Sequence, residues 1–278
     1  MIRKQRLSQL FFAFLNNPYL YGLWLGNIYQ GKLKLIPCAG LNCHSCPAAV
    51  FVCPVGALQF FAAYGRYHIT FYVLGFVGSI GAVGGRIVCG WACPFGLLQD
   101  LLNRIPSPRV AVPQMLEPVK YYVLFVLVLG VAYYTQEPWF CKTICPAGTL
   151  EAGFPLLMFN GDLRQLIGTL FFIKCAFLFL FVVWMIAAKR PFCRTLCPLG
   201  ALYACFNKVS LVRLKFDREK CIRCGMCRQV CPTEVKLNEQ GAAASNCIRC
   251  FRCTACPENA VSITCLPYDA KECCSKSS

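Results

Sequence analysis

The chain has 278 residues, 57% of them hydrophobic, and carries 28 Lys and Arg against 12 Asp and Glu, for a formal net charge of +16. That much apolar character, spread over most of the chain, excludes an ordinary soluble domain and a soluble domain on one small anchor; it leaves a polytopic membrane protein. The 23 cysteines are an odd number in a long apolar chain, which excludes the small disulfide scaffold of secreted proteins and points to metal ligation.

In chain order, the first apolar segment, Leu7 to Ile28, is interrupted by Asn16, Asn17 and Pro18 and reads as a crossing or an interfacial helix. No small-residue cleavage site follows it, so no cleavable signal is expected. Three clearer segments, Ile69 to Val88, Tyr121 to Thr135 with its flanks, and Leu166 to Ala188, are apolar enough to cross about 30 Å of hydrocarbon. The expected fold is an α-helical membrane protein with about four transmembrane helices over residues 1–210. Near Asn207 to Leu214 the sequence turns polar and basic. This predicts a second domain over 211–265, a bacterial-type 2[4Fe-4S] ferredoxin of α+β fold, and a polar tail at 266–278.

A repeat organises the apolar part. It runs Cys53-Pro-Val-Gly-Ala-Leu, Cys93-Pro-Phe-Gly-Leu-Leu, Cys145-Pro-Ala-Gly-Thr-Leu and Cys197-Pro-Leu-Gly-Ala-Leu. The unit is a span, a cysteine pair and a short helix, copied four times. One crossing per unit places the first and third turns on one face and the second and fourth on the other. Arg3, Lys4, Arg6, Arg86, Arg104, Arg109, Lys189, Arg190 and Arg194 fall on the second-and-fourth side, against Lys32, Lys34, Arg66, Lys142 and Arg164 opposite. The positive-inside bias then puts both termini in the cytoplasm of a multi-pass cytoplasmic-membrane protein. The basic excess suits anionic lipid and an acidic redox partner; no aromatic-basic patch for nucleic acid appears.

The strongest chemical signal is the pair of runs Cys221-x2-Cys224-x2-Cys227-x3-Cys231-Pro and Cys247-x2-Cys250-x2-Cys253-x2-Cys256-Pro. Such a run wraps one cubane with three thiolates and sends its fourth Cys to the other cluster. One [4Fe-4S] cluster is thus expected on Cys221, Cys224, Cys227 and Cys256, the second on Cys247, Cys250, Cys253 and Cys231. A zinc ribbon is the competing reading of paired C-x2-C turns, and eight cysteines in two runs of four favour clusters over it. Only Thr254 and Ala255 precede Cys256, so that loop must be tight.

The pairs Cys89/Cys93, Cys141/Cys145 and Cys193/Cys197 are each C-x3-C-P. Proline after the second Cys places that thiol at a helix N-terminus, where unpaired N–H groups favour a thiolate. Two thiolates are too few for a cubane, but two pairs on one face make four. Cys89, Cys93, Cys193 and Cys197 are therefore expected to form one inner site beside the ferredoxin domain. The outer face offers either one cubane on Cys46, Cys53, Cys141 and Cys145, or a cluster held by Cys38, Cys43, Cys46 and Cys53 alone. A disulfide or a structural thiol pair is the plainer alternative at each face. Cys175 and Cys205 read as small core residues, and Cys265, Cys273 and Cys274 complete no motif. A quinone is a further candidate cofactor, with Asp100, Glu117, His68, Glu151 and Asp162 as possible proton acceptors.

Three stretches carry a resemblance: Gly85-Arg86-Ile-Val-Cys89-Gly-Trp91-Ala-Cys93-Pro94, Cys193-Arg-Thr-Leu-Cys197-Pro198-Leu-Gly-Ala-Leu-Tyr203, and the double run from Cys221. Together they resemble the NapH-type family of membrane ferredoxins, with the related membrane core of NosR-type proteins, over nearly the whole chain. The resemblance implies four transmembrane helices, cytoplasmic termini, and electron transfer between membrane quinol and partner redox proteins. The chain departs from that pattern at its outer cysteines, which suggest an electron route across the membrane. Three functions are expected in order: an electron-transfer subunit linking a cytoplasmic redox partner to the membrane or its outer face, a quinol dehydrogenase or quinone reductase subunit, and a redox-sensing or metalloenzyme-maturation protein. With no nucleophile–base pair or nucleotide loop, the chain reads as the electron-transfer subunit of a multisubunit oxidoreductase.

Overall fold

A computed structural model describes residues 2–64, 67–165 and 167–265. The polar tail at 266–278, with Cys273 and Cys274, lies outside the described residues, as does the side chain of His68.

The repeats of the sequence are repeats of structure. In the second unit, helix Tyr67–Gly84 leads through Ile87–Trp91 to Cys93 and the half-helix Pro94–Leu102. In the third, Gln114–Thr135 leads through Trp139–Thr143 to Cys145 and a half-helix that starts at Pro146–Gly148 and runs on to Phe154–Phe159. In the fourth, Thr169–Ala187 leads through Pro191–Thr195 to Cys197 and Pro198–Cys205. The first unit ends the same way, with Cys53 before the half-helix Pro54–Ala63, but a loop replaces its short connecting helix. In units two to four one hydrogen bond closes the turn: the N–H of the second cysteine donates to the carbonyl five residues back, Cys93 to Val88 at 2.9 Å, Cys145 to Phe140 at 3.0 Å and Cys197 to Phe192 at 2.9 Å. Proline at the next position costs nothing there, because the first N–H groups of a helix have no internal partner.

Among the described residues two helices are long and apolar enough to cross a membrane, Gln114–Thr135 and Thr169–Ala187; Phe71–Gly84 is a shorter apolar stretch. The segment expected at Leu7 to Ile28 is divided into Ile2–Asn16 and Leu20–Leu25. Its break has a local cause: the Asn17 amide turns back to the Ala13 carbonyl at 2.9 Å, and Pro18 lacks the N–H that would continue the ladder. Helix Tyr67–Gly84 stops where Gly85 takes φ +56° and donates to the Gly81 carbonyl at 2.7 Å, the left-handed helix end that glycine favours. Large apolar side chains such as Phe172, Phe179 and Leu180 point outward from the last long helix, the reverse of a water-soluble surface.

The half-helices fill the gaps between the long ones. Pro54–Ala63 and Pro198–Cys205 both pack on Tyr67–Gly84 and on the helix that includes Val123–Val131; Pro94–Leu102 packs on Ile2–Asn16 and Thr169–Ala187. Cys205, expected in a core, is exposed, because it lies on the last turn of its half-helix.

The cysteine-rich region is framed by β1 (Val212–Phe216) and β2 (Val261–Cys265), antiparallel with Leu214 opposite Ile263. It sits on the end of units two and four. Asn207 donates to the Ala244 and Cys247 carbonyls, each at 2.9 Å, Trp91 Nε1 to the Arg249 carbonyl at 3.1 Å, and Lys120 Nζ to Asn246 Oδ1 at 2.6 Å. Ile248 and Cys250 belong to the same buried cluster as Cys89 and Cys93. Close approach requires Gly90, where a Cβ would stand 2.6 Å from the Ile248 carbonyl oxygen. Gly90→Ala is therefore expected to cost about 1–3 kcal/mol of docking and to speed protease cleavage in the connection at 206–211; an unchanged cleavage rate would contradict this packing.

Candidate metal centres

The thiols gather in four groups. In the cysteine-rich region, Cys221, Cys224, Cys227 and Cys256 line one cavity of about 180 Å³. Cys231, Cys247, Cys250 and Cys253 line a tighter neighbour of about 20 Å³, which Cys227 also reaches. The fourth cysteine of each run thus stands with the first three of the other. Burial, and then Cys247, Cys250 and Cys231, push the Cys253 thiol upward; burial first, with Cys231 and Cys247, pushes Cys250 up to about 12.

At the end of units two and four, Cys89, Cys93, Cys193 and Cys197 converge, all of them buried. Burial, then Cys193 and Cys89, raise the Cys93 thiol to about 12; burial, then Cys193, Cys89 and Cys93, raise Cys197. Cys93 and Cys197 thus hold their protons until a cation displaces them, so loading such a site releases protons.

Two arginines interlock across this group. Arg86 Nη2 donates to the Cys193 carbonyl at 2.8 Å and Arg190 Nη1 to the Cys89 carbonyl at 2.8 Å. Each thereby holds the first cysteine of the opposite pair. Both are buried, at 0% and 1% exposure. Each passes over the glycine of the opposite Cys-Pro-x-Gly turn, where a Cβ would stand 2.6 Å from Arg86 at Gly200 and 3.1 Å from Arg190 at Gly96. Asp100 fixes the Arg190 side chain with two bonds, at 2.7 and 2.8 Å, and the Arg190 backbone stands at φ +44°, a region that non-glycine residues rarely occupy. Sequence reading counts Arg86 and Arg190 only as topology charges. Their signal was present as a shared place, three residues before the first cysteine of the second and fourth pairs.

Between units one and three, a cavity of about 250 Å³ is lined by Cys43, Cys53, Cys141 and Cys145, with His44 and Lys174. Cys46 instead packs with Ala48, Ala49 and Leu23, and Cys38 lies toward Cys53 and Cys93. The glutamine six residues after the Cys-Pro cysteine links paired units. Gln59 of unit one donates to Cys141 Sγ of unit three at 3.1 Å, and Gln99 of unit two to Cys193 Sγ of unit four at 2.9 Å. Neither contact was legible beforehand, since nothing local ties a glutamine to a cysteine so distant in sequence. At the same position in unit three, Glu151 accepts from the Cys43 N–H at 2.6 Å; burial pushes its carboxyl up to about 7.

In all four turns the N–H of the glycine three residues on, Gly56, Gly96, Gly148 or Gly200, is directed at the cysteine sulfur, at 3.3 Å for Cys197. Iron–sulfur clusters fit these surroundings: thiols grouped in fours, oriented donors on the sulfurs, and a buried donor, Arg86 Nε, that has no partner among the described residues. Among those residues, no three Cys, His, Asp or Glu side chains close to the spacing of a single ion.

The two glutamines differ usefully. Gln59 Oε1 also accepts from the buried Phe140 N–H at 3.0 Å, whereas Gln99 Oε1 is buried without a partner among the described residues. Gln59→Leu strands a backbone donor at a cost of about 1–3 kcal/mol, and Gln99→Leu strands none. Thermal unfolding should rank Gln59→Leu clearly below Gln99→Leu; the opposite order would refute these contacts.

A family described as a 4Fe-4S binding domain matches residues 67–113, 121–154 and 169–219, which hold the second, third and fourth turns. A second 4Fe-4S binding domain matches residues 214–236. An uncharacterized protein of Methanocaldococcus jannaschii, MJ0750, is 31% identical over 65% of this chain and 72% of its own length. Ferredoxin-type protein NapH of Haemophilus influenzae is 27% identical over 90% of this chain and 84% of its own length. Regulatory protein NosR of Pseudomonas aeruginosa is 31% identical over 61% of this chain but only 23% of its own length. No solved structure matches. Thiols grouped for iron–sulfur clusters, in segments matched by 4Fe-4S binding domains, give the chain an iron–sulfur electron-transfer role. The chain belongs to the NapH- and NosR-like family of 4Fe-4S polyferredoxins.

Proposed function

We propose that the chain is a membrane electron-transfer subunit with four cluster sites in series, joining a cytoplasmic redox partner to the outer half of the membrane. Residues 1–210 form the membrane domain, with four crossings and both termini in the cytoplasm, and residues 211–265 the ferredoxin domain. The sites follow in order: Cys221, Cys224, Cys227 and Cys256; Cys231, Cys247, Cys250 and Cys253; Cys89, Cys93, Cys193 and Cys197; then Cys43, Cys53, Cys141 and Cys145. A [4Fe-4S] cluster bound at each supplies reversible one-electron storage. The protein holds the thiolates, excludes water and spaces the sites.

One observation carries this reading. The loop before Cys53 reaches the inner site: a Cβ at Gly40 would stand 3.0 Å from Cys93 Cα, and the Leu41 N–H faces Cys93 while the next one along, of Asn42, faces Cys53. Two successive peptide units thus lead from an inner thiol to an outer one. Crossing faces about 30 Å apart is then no obstacle, because the half-helices carry their cysteines inward from both sides. At the near end Cys224 is exposed, where an acidic partner meets Arg223 and Arg228, which line the first cavity.

A second reading has its own observation. An open groove of about 610 Å³, lined by Leu7, Leu10, Leu97 and Leu101 with Arg3, Arg6 and Arg104, offers a quinone an apolar slot beside the inner site. Both readings are tested in sealed vesicles. With the ferredoxin domain outside and reduced by dithionite, an impermeant one-electron acceptor trapped inside should be reduced, and Cys145→Ser should abolish this. Equal rates for Cys145→Ser and the unmodified chain would overturn the series, and a rate that demands added menaquinone would favour the second reading.

A further inference from the structure

The inner and outer sites have the same architecture but different charge. Around the inner four cysteines stand two guanidinium groups, each bonded to a ligand-bearing residue's carbonyl and each buried at 0% or 1% exposure. Cys89, Cys193 and Cys197 all lie close enough to bear on Arg86. Lys120, buried nearby, also bears on Cys197 and Cys89. The acidic groups on this side include Asp100, which faces Arg190 and Arg252, and Glu117 and Glu234, both near Arg194.

The places equivalent to Arg86 and Arg190 in units one and three are Cys46 and Pro138, which bring no charge. Opposite Gly56, where an arginine would lie by analogy, is His44. The outer cavity has one cation in its lining, Lys174, a second, Lys34, that bears on Cys43, and one buried carboxyl close by, Glu151; both lysines are only partly buried, so the outer site lacks the fully buried guanidinium pair of the inner one.

A cubane with four thiolates is an anion and becomes more negative on reduction, so fixed buried cations favour its reduced form. Net charge and hydrogen bonds to sulfur are the means by which a protein sets such potentials, and a low-dielectric interior magnifies each charge. We infer that Arg86 and Arg190 are positioning residues that hold the inner site at a higher reduction potential than the outer site, making the inner site the resting place of an electron shared between them. This rests on the proposal that both groups of four cysteines hold clusters. In the exchange the outer site loses one electron and the inner site gains it, with no bond or proton changing hands.

The test is a reductive titration of the full chain in nanodiscs, followed by electron paramagnetic resonance. Cys93→Ser and Cys145→Ser, each losing one signal, assign the inner and outer sites. The inner midpoint should lie above the outer. Arg86→Gln and Arg190→Gln should each move it to more negative values with the outer midpoint unmoved. Asp100→Asn, which leaves Arg190 less neutralised, should move it the other way, and Arg86→Lys should restore most of the Arg86→Gln shift. A merely structural role would not reverse sign with the charge removed. If the glutamine variants fail to load, Asp100→Asn and Arg86→Lys still decide. An inner midpoint at or below the outer, or no shift with iron retained, overturns the inference while leaving the cluster sites standing. Loss of no signal in either cysteine variant overturns the cluster sites themselves.

Discussion

A proline directly after a cysteine, at the first position of a helix, is the constraint on which the rest of this structure depends. It fixes an extended backbone at the cysteine, with ψ between 111° and 125° in all four turns. The sulfur then lies over the open N–H groups of the helix that follows, where partial positive charge accumulates. A thiol held that way suits an anionic centre and little else. Because the half-helices insert between the long ones, their N-termini meet inside the protein in pairs, and two such thiols, each joined by a second cysteine, come together from segments far apart in sequence.

That meeting explains four polar residues of the interior. Buried polar groups must be partnered, and here the partners come from the opposite repeat: Gln59 on Cys141, Gln99 on Cys193, Arg86 on the Cys193 carbonyl and Arg190 on the Cys89 carbonyl. The exchange is nearly symmetric between units two and four, as expected of duplicated units facing each other. It is broken between units one and three, where the first unit has no cysteine four residues before Cys53 and Cys43 reaches in from its longer loop. The cysteine-rich region uses the same economy of contact: Gly90 and Trp91, inside the second turn, are also where it packs.

What the sequence made legible was what short spacing encodes. The two ferredoxin runs, the Cys-Pro turns and their half-helices depend on residues within one or two helical turns, so their pattern is visible in one dimension. The pairing of units was legible only as an alternation of faces. The choice of Cys43 over Cys46 around the outer cavity was not legible, because it depends on how an irregular loop from Pro37 to Val52 folds, and no periodicity governs that loop. The arginines were misread for a physical reason as well. Charge near a helix end is ordinarily topological, and only the third dimension places Arg86 and Arg190 inside, over glycines. The division of Leu7 to Ile28 was legible too, because Asn16, Asn17 and Pro18 are local breakers and the helix ends at them.

The central claim is that the first repeat shares a cluster with the third and the second with the fourth. Iron counted by native mass spectrometry on double variants tests it most directly. Cys53→Ser and Cys145→Ser should each remove about four irons, and the double variant should remove no more than either alone, whereas Cys53→Ser with Cys93→Ser should remove twice as many. Additive losses for Cys53 and Cys145, or no loss for either, would contradict the account.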